Sequence, residues 1–319
     1  MIFLEVLPFV LFVIGLVFII KGGDWFIDAA SWIARITGMP DVLIGATIVS
    51  LGTTLPELVV SSTASFQGHT EMAIGNALGS IICNTALILG VCNLISPARI
   101  NSRIYNVKAV TLIIYMIIFY IMALNGKIGK IESFILLFCL AFYIFINYLE
   151  VNIKRPSRKR STKGNFSAIT SKELGGNLCR FIVGSILIVG GANLLVNNGI
   201  IIASIFNVPH IIISLTVIAL GTSLPELVTS VTALVKGHHN LSIGNILGAN
   251  ILNITMVLGV SSTFNPLTIS AQALHLHIPF AFLLMLVLLV PTIFTWKIYR
   301  LHALVLVVLY GLYLILIFR

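Results

Sequence analysis

The sequence has very little charge. Only 9% of its 319 residues are Asp, Glu, Lys or Arg, and 58% are hydrophobic, whereas soluble domains have about 25% charged residues. No long polar stretch interrupts the chain, so we expect no soluble domain within it. The composition predicts an integral protein of the cell membrane. No basic residue precedes the first apolar run, which we expect to be a retained helix rather than a signal peptide.

Cysteine is scarce as well. The four cysteines form no Cys-x-x-Cys pair, and no histidine stands at ligand spacing, so neither a zinc site nor a redox pair is predicted. We expect them to be small buried hydrophobic side chains. The apolar segments also lack nucleophile–base spacing, so neither an enzyme nor a bound cofactor is expected. The four residues are Cys83, Cys92, Cys139 and Cys179.

Acidic residues are less frequent than basic ones. The chain has 10 Asp and Glu and 19 Lys and Arg, which give a net charge of +9. Basic residues of membrane proteins collect on the cytoplasmic side. If the 150–178 loop is cytoplasmic, both termini are extracellular, and only Lys127, Lys130 and Arg319 of the basic residues lie outside. We therefore expect a lipid bilayer with anionic headgroups as the partner, and not nucleic acid.

Long apolar runs are what the sequence has in abundance. A helix needs about 20 apolar residues to cross the hydrocarbon core, and ten runs of suitable length predict an all-α protein with ten transmembrane helices. The runs cover residues 2–20, 40–66, 72–95, 105–124, 131–149, 179–204, 209–235, 241–262, 274–294 and 301–318.

One six-residue motif occurs twice. Gly-Thr-Thr-Leu-Pro-Glu spans 52–57, and Gly-Thr-Ser-Leu-Pro-Glu spans 221–226. The same offset, 221 − 52 = 169 residues, relates further identical residues without gaps, from Gly22 and Gly191 to Pro97 and Pro266. Five spans separate each residue from its mate, and an odd number reverses direction across the membrane, so two inverted repeats are predicted. The predicted parts are a first five-helix repeat (1–150, motifs 50–84), a basic cytoplasmic linker (151–178) and a second repeat (179–319, motifs 219–253).

Each copy of the motif places a carboxylate within an apolar run. Glu57 and Glu226 are the only carboxylates near the middle of such a run, and a charge at bilayer depth marks a functional site by default. Proline lacks an N–H and clashes with the preceding turn, so Pro56 and Pro225 predict breaks or kinks in helices 2 and 7. Freed carbonyls, carboxylates and hydroxyls form an oxygen cluster that suits hard cations. The hydroxyls belong to Thr53, Thr54, Thr222 and Ser223.

A second repeated motif opens helices 3 and 8. It runs from Gly75 to Asn84 and from Gly244 to Asn253, with glycines in small-xxx-small spacing that allows close helix contact. Ser80 lies four residues before Asn84, on the same helix face, and both side chains could add oxygens to the cluster. A membrane asparagine can instead clamp two helices together. We predict Asn84 and Asn253 as ligands because they follow the repeat.

The charge of the two glutamates limits which ions can neutralise the site. Two glutamates carry −2, which one Ca²⁺, two Na⁺ or two protons neutralise. Calcium takes about six to eight oxygens, a number that glutamates, carbonyls and amides can supply. Two carboxylates close together in a poorly hydrated region disfavour their charged forms, so protons are expected to compete with metal ions.

The two motifs resemble those of the cation/Ca²⁺ exchanger superfamily, in its prokaryotic-type sodium/calcium exchanger form. The resemblance implies ten helices and four cation sites between helices 2, 3, 7 and 8. It implies that Glu57 and Glu226 are shared central ligands and that Thr53 and Thr222 bind calcium through carbonyls. By the same resemblance, Asn84 and Asn253 flank the cluster. Ser80, Ser223 and the Ala219 carbonyl serve the outward-side sodium site, and Thr54 and the Ser50 carbonyl serve the inward-side one.

The chain departs from the family pattern at two positions. Potassium-dependent members have Asp where this chain has Asn253, so potassium dependence is not expected. Ala249 replaces the family's Ser and removes one hydroxyl from the inward-side sodium site, which puts sodium affinity or stoichiometry in doubt. The calcium/proton branch tends to carry an extra Glu after Gly-Asn, which is absent here.

These observations predict a secondary antiporter that exchanges Na⁺ for Ca²⁺ by alternating access and works as a monomer. The two ions are transported substrates, bound by overlapping oxygens. Helices 1 and 6, which carry neither motif, are expected to slide past a fixed core. Ca²⁺/H⁺ exchange on the same scaffold is the alternative, and a passive cation channel is a weaker one, because channels usually assemble around a symmetric axis.

Overall fold

The structure, a computed structural model, describes residues 2–98, 100, 103–153, 171–205, 221 and 223–317. These residues are almost entirely helical. Nine of their helices are long and apolar enough to cross a membrane, and Leu224–Val235 is a shorter apolar helix. The helices, named in chain order, are α1 Ile2–Thr37, α2 Asp41–Phe66, α3 Thr70–Ile95, α4 Arg103–Ala123, α5 Lys130–Ile153, α6 Ser171–Ile205, α7 Leu224–Val235, α8 His239–Phe264, α9 Ala273–Thr295 and α10 Arg300–Ile317.

Wide π-helical turns interrupt the α-helical geometry of four helices. They lie at Gly45–Val49 in α2, Cys83–Ile88 in α3, Asn253–Val257 in α8 and Ala273–His277 at the start of α9. Those in α3 and α8 occupy equivalent positions of the sequence repeat, since 84 + 169 = 253. Turns of this kind often occur at functional sites. Hydrophobic pattern gives no sign of them, and the sequence did not predict them.

The structure corrects the prediction that helix 2 is broken. Ser50–Phe66 is one continuous α-helix with Pro56 inside it. Proline removes only one backbone donor, and the turns on either side remain helical; the irregular segment comes earlier, at Gly45–Val49. In the second repeat α7 begins at Leu224, directly before Pro225. Residues 206–220 lie outside the described residues, so the predicted break of helix 7 stays a prediction.

The motif helices form the centre of the bundle. In the most apolar stretch of α8, 94% of the residues are buried, against 72% in α3 and 56% in α2. The corresponding shares are only 28% in α1, 22% in α6 and 17% in α10. The helices that carry the repeated motifs are therefore enclosed by protein, whereas α1 and α6 lie at the periphery.

Both peripheral helices are longer than their apolar runs. α1 extends to Thr37 and α6 begins at Ser171, beyond the predicted limits of 20 and 179. The added part of α1 combines charged side chains with buried apolar ones. Lys236 at the end of α7 forms ion pairs with it, at 3.3 Å to Asp24 and 2.8 Å to Asp28. These contacts outside the apolar run explain why the helix does not end where the hydrophobicity does.

Connections between helices contact one another on both ends of the bundle. Lys127–Ile128, between α4 and α5, forms strand β1 and pairs antiparallel with β2, Leu267–Thr268, between α8 and α9. At the other end, the Ile100 amide donates to the Trp296 carbonyl at 2.8 Å, which joins the α3–α4 and α9–α10 connections. Cys83, Cys92 and Cys139 are buried and free, as predicted, whereas Cys179 is exposed on α6, where no described residue covers it.

Glycines bring α1 and α6 into backbone contact along their lengths. A Cβ built on Gly22 would lie 2.8 Å from the Gly184 carbonyl oxygen, and one on Gly191 would lie 2.8 Å from that of Gly15. Both distances are far below normal contact, so a larger residue forces the helices apart. A Cβ on the adjacent Gly190 meets no described atom within 4 Å.

We predict that Gly191→Ala lowers the thermal unfolding midpoint of the detergent-purified protein by about 5 °C, because the methyl group overpacks the contact with α1. Gly190→Ala is the matched control. It should leave the midpoint unchanged or raise it, because alanine favours a helix over glycine by up to about 1 kcal/mol. Equal midpoints for the two variants would contradict the assigned contact.

Candidate cation site

Two buried glutamates face each other at the centre of the bundle. Glu57 lies in the middle of α2 and Glu226 in the first turn of α7, and neither side chain has any exposed surface. The two carboxyl groups are close enough to interact electrostatically. Thr54 Oγ1, on α2, lies 3.5 Å from Glu226 Oε1 and joins the two helices. The structure therefore brings together the two carboxylates that the sequence singled out.

No basic side chain among the described residues pairs with either glutamate. The ion pairs found there are Lys108–Glu150, Lys236 with Asp24 and Asp28, and His238–Asp41. A buried carboxylate without a positive partner is strongly unfavourable. Two such groups side by side form a site that needs cations or protons.

Several residues of the predicted site have buried polar atoms without a hydrogen-bond partner. A buried polar group usually has a hydrogen-bond partner, and leaving it without one costs about 1–3 kcal/mol. Of the sixteen such atoms in the described structure, eight belong to six of the residues predicted to bind ions. They are Glu57 Oε1 and Oε2, Glu226 Oε2, Ser80 Oγ, Asn84 Oδ1, Ser223 Oγ, and Asn253 Oδ1 and Nδ2. All but the last are oxygens that can coordinate a hard cation.

The threonine and serine residues of the first motif are also buried. Thr53 Oγ1 lies 3.3 Å from both the Ser50 carbonyl oxygen and Asn245 Oδ1, so its hydroxyl donates to either acceptor. The Ser50 carbonyl, implied as a sodium ligand, is thus already within reach of a donor. Thr222 and Ala219, the remaining residues of the predicted site, lie outside the described residues.

Two asparagines that the sequence showed only as part of the repeat anchor the motif helices. Asn76 Nδ2 donates to Ser61 Oγ at 2.9 Å and to the Glu57 carbonyl at 3.4 Å. Its mate Asn245 donates to Thr229 Oγ1 at 3.0 Å and to Ser230 Oγ at 3.3 Å. The match between Gly75-Asn76 and Gly244-Asn245 was the only sign of these asparagines in the sequence. It did not reveal their anchoring roles, because those roles depend on contacts between helices.

Glycines of the second motif let α8 cross α2 in backbone contact. A Cβ on Gly248 would lie 2.7 Å from the Ala46 carbonyl oxygen, and one on Gly244 would overlap the Val42 carbonyl. The predicted close approach is confirmed for these two glycines. Gly75 and Gly79 have no described atom within 4 Å of a Cβ, and the repeat counterpart of the α2 segment, near residues 211–217, lies outside the described residues.

The donor set is one of scattered oxygens rather than a compact metal-binding cluster. Within the described ranges, no group of three or more His, Cys, Asp or Glu side chains lies together. A cation at Glu57 and Glu226 must therefore draw its other ligands from hydroxyls, amides and backbone carbonyls. This chemistry fits sodium or calcium and does not fit zinc or copper.

Comparison with known proteins gives one consistent family. The family model described as "Sodium/calcium exchanger protein" matches residues 7–149 and 177–319. The sodium/calcium exchanger MaX1 of Methanosarcina acetivorans is 32% identical over 97% of this chain and 98% of its own. The inner membrane protein YrbG of Escherichia coli is also 32% identical, over 80% and 79%. A solved structure of the sodium-calcium exchanger NCX_Mj, soaked with 10 mM Na⁺ and no Ca²⁺, superimposes with a TM-score of 0.82 at 29% identity, covering 97% of this chain and 98% of that one.

The orphaned oxygens predict stabilisation by a divalent cation. We expect Ca²⁺ to raise the thermal unfolding midpoint of the purified protein, with about 2.7 kcal/mol gained at a hundredfold excess over Kd. Glu57→Gln should abolish this shift. Because a neutral amide is less costly to bury beside Glu226 than a second charge, the same substitution should raise the midpoint without Ca²⁺.

Glu71→Gln is the matched control. Glu71 is exposed in the first turn of α3 and is not a member of the buried pair. Its substitution should leave the Ca²⁺-dependent shift intact. A full Ca²⁺ shift in Glu57→Gln would place the cation elsewhere and contradict the assignment.

Proposed function

The chain belongs to the sodium/calcium exchanger family, and from that premise we propose that it is a secondary active antiporter that exchanges Na⁺ for Ca²⁺ across the membrane. It is a multi-pass membrane protein, and its family is one of ion exchangers rather than enzymes. The single observation that carries the proposal is the pair of fully buried glutamates, which have no basic partner among the described residues and keep carboxylate oxygens without a hydrogen-bond partner.

The coupling of Na⁺ movement to Ca²⁺ movement follows from the charge of the two glutamates. One Ca²⁺ or two Na⁺ neutralise the two carboxylates, and both ions use overlapping oxygens. They therefore exclude each other, and the protein crosses between its two open states only when the charge is compensated. This mutual exclusion converts a sodium gradient into calcium movement without a further energy source.

We assign the ligands as the family resemblance implies. Glu57 and Glu226 are shared by Ca²⁺ and Na⁺, the Thr53 and Thr222 carbonyls complete the calcium site, and Asn84 and Asn253 flank it. The remaining sodium ligands are Ser80, Ser223 and the Ala219 carbonyl towards the outside, and Thr54 and the Ser50 carbonyl towards the inside. The burial of the described members and the orphaned atoms of six of them support this assignment.

We further propose ten transmembrane helices in two inverted repeats, with both termini extracellular and the 150–178 loop cytoplasmic. Two separate family matches, at 7–149 and 177–319, fit a division into halves. The paired connections also fit this topology. β1 and β2 fall on its extracellular side, whereas the Ile100–Trp296 hydrogen bond and the His238–Asp41 contact fall on its cytoplasmic side.

Movement is proposed to occur between α1–α6 and the enclosed motif helices. α1 and α6 hold each other through glycine backbone contacts and carry little of the buried core. α8, in contrast, is locked against α2 at Gly244 and Gly248. A rigid peripheral pair beside a rigid centre is the arrangement that alternating access by sliding requires.

Ca²⁺/H⁺ exchange is the second candidate, favoured by one specific feature. Two adjacent buried carboxylates without a basic partner can be neutralised by two protons as well as by two Na⁺. The resulting transport cycle would use the same residues. The two functions differ in the gradient that drives calcium uptake, and a passive channel differs from both because it needs no counter-ion.

We predict that an outward Na⁺ gradient alone drives ⁴⁵Ca²⁺ uptake into proteoliposomes, while a pH gradient alone does not. Glu57→Gln and Glu226→Gln should each reduce uptake to the level of protein-free vesicles, because each removes half of the charge that binds Ca²⁺. Glu71→Gln should retain wild-type uptake.

Uptake driven by pH without Na⁺ would favour the proton exchanger, and uptake without any counter-ion would favour a channel. Retained Na⁺-driven uptake in both glutamate variants would overturn the assignment of the site while leaving the antiport activity intact.

A further inference from the structure

The side-chain amide of Asn84 has a defined orientation. Asn84 lies in the π-helical turn of α3 and is fully buried. Its Nδ2 donates to Asn250 Oδ1 on α8 at 3.2 Å, whereas its Oδ1 has no hydrogen-bond partner. The nitrogen is thus engaged by the neighbouring helix, and the oxygen is one of the unpartnered buried oxygens of the predicted ligands.

Asn250 continues this chain of hydrogen bonds. Asn250 is buried, and its Nδ2 donates to Thr85 Oγ1 at 2.8 Å. An amide has its donors on one branch and its acceptor on the other. Once the nitrogen of Asn250 is bound to Thr85, only its oxygen is available to Asn84. In the structure Thr85, Asn250 and Asn84 therefore form a relay in which the oxygen is the free branch of Asn84.

The relay has no counterpart in the other half of the chain. The repeat mates of Asn250 and Thr85 are Ile81 and Ile254, at 250 − 169 and 85 + 169, and isoleucine has no side-chain donor or acceptor. Asn253, the mate of Asn84, has neither its nitrogen nor its oxygen bound within the described residues. The duplicated sequence has thus acquired an oriented amide on one side of the site only.

We propose that Asn250 is a positioning residue of the cation site, which holds the Asn84 amide with its carbonyl oxygen towards the ions. The inference rests on the proposed function for the identity of those ions. A reversed Asn84 amide would present N–H groups, which repel a cation, in place of an oxygen ligand. Orientation of this one amide therefore decides whether α3 contributes to binding at that position.

A purely structural role makes a different prediction. Asparagine often clamps two membrane helices together, and Asn250 does join α8 to α3. Loss of a clamp weakens the protein whatever residue stands at 84. Loss of a positioning residue weakens ion binding only if the side chain at position 84 has two different terminal groups, such as the oxygen and nitrogen of an amide. Aspartate at 84 carries oxygens on both branches and needs no orientation.

The experiment compares Asn250→Leu in two backgrounds. In wild-type protein, we expect the Ca²⁺ concentration for half-maximal Na⁺-driven uptake to rise about tenfold, the lower range for loss of a residue that orients a metal ligand. In an Asn84→Asp background the same substitution should not raise it. The non-additivity of the two substitutions is the measured quantity.

Two further variants complete the test. Thr85→Val, which is close to isosteric, frees the Asn250 amide and should raise the half-saturating Ca²⁺ concentration in the same direction but by less. Asn245→Leu is the control on the same helix, because Asn245 binds Thr53, Thr229 and Ser230 and not Asn84. Whatever its effect, that effect should be equal in both backgrounds.

The inference fails if Asn250→Leu has the same effect in both backgrounds, or if neither Asn250→Leu nor Thr85→Val changes half-saturation. Equilibrium ⁴⁵Ca²⁺ binding to the purified variants provides the same comparison without transport. If the wild-type protein binds Ca²⁺ but shows no Na⁺-driven uptake, the proposed exchange fails, and the binding data still decide the role of Asn250.

Discussion

Repulsion between two buried carboxylates is the interaction around which the remaining structure is organised. Glu57 and Glu226 have no exposed surface and no basic partner among the described residues. In a poorly hydrated interior such a pair is costly unless positive charge compensates it. The compensating charge must come from bound cations or protons, since the described residues supply none. The proposed transport cycle, limited to charge-compensated states, rests on this constraint.

The surrounding helices serve to hold that pair in place. Backbone contact at Gly244 and Gly248 fixes α8 against α2, and Asn76 and Asn245 fix the helices of each repeat to each other. In the proposed mechanism, this rigid centre keeps the oxygens at positions that the ions share. The α1–α6 pair, which has its own glycine contacts, is the part of the fold that carries neither motif and lies outside this framework.

The sequence predicted that Glu57 and Glu226 come together, but it did not predict the geometry of the helices around them. Glu57 and Glu226 were identifiable because carboxylates in apolar runs are costly and because the chain is duplicated. The break predicted at Pro56 was wrong, because the loss of one backbone donor leaves α2 helical there. The irregular turn lies earlier, at Gly45–Val49. The contact from Asn250 to Asn84 could not be predicted, because hydrogen bonds between helices depend on packing that no periodicity encodes.

The most direct test of the shared site is equilibrium binding of ⁴⁵Ca²⁺ to the purified protein at increasing Na⁺. The account predicts one tightly bound Ca²⁺ per chain, displaced completely by Na⁺ with a Hill coefficient above one, because at least two Na⁺ replace each Ca²⁺. Calcium that stays bound at saturating Na⁺, or a second equivalent calcium that does not depend on Glu57 and Glu226, would contradict it.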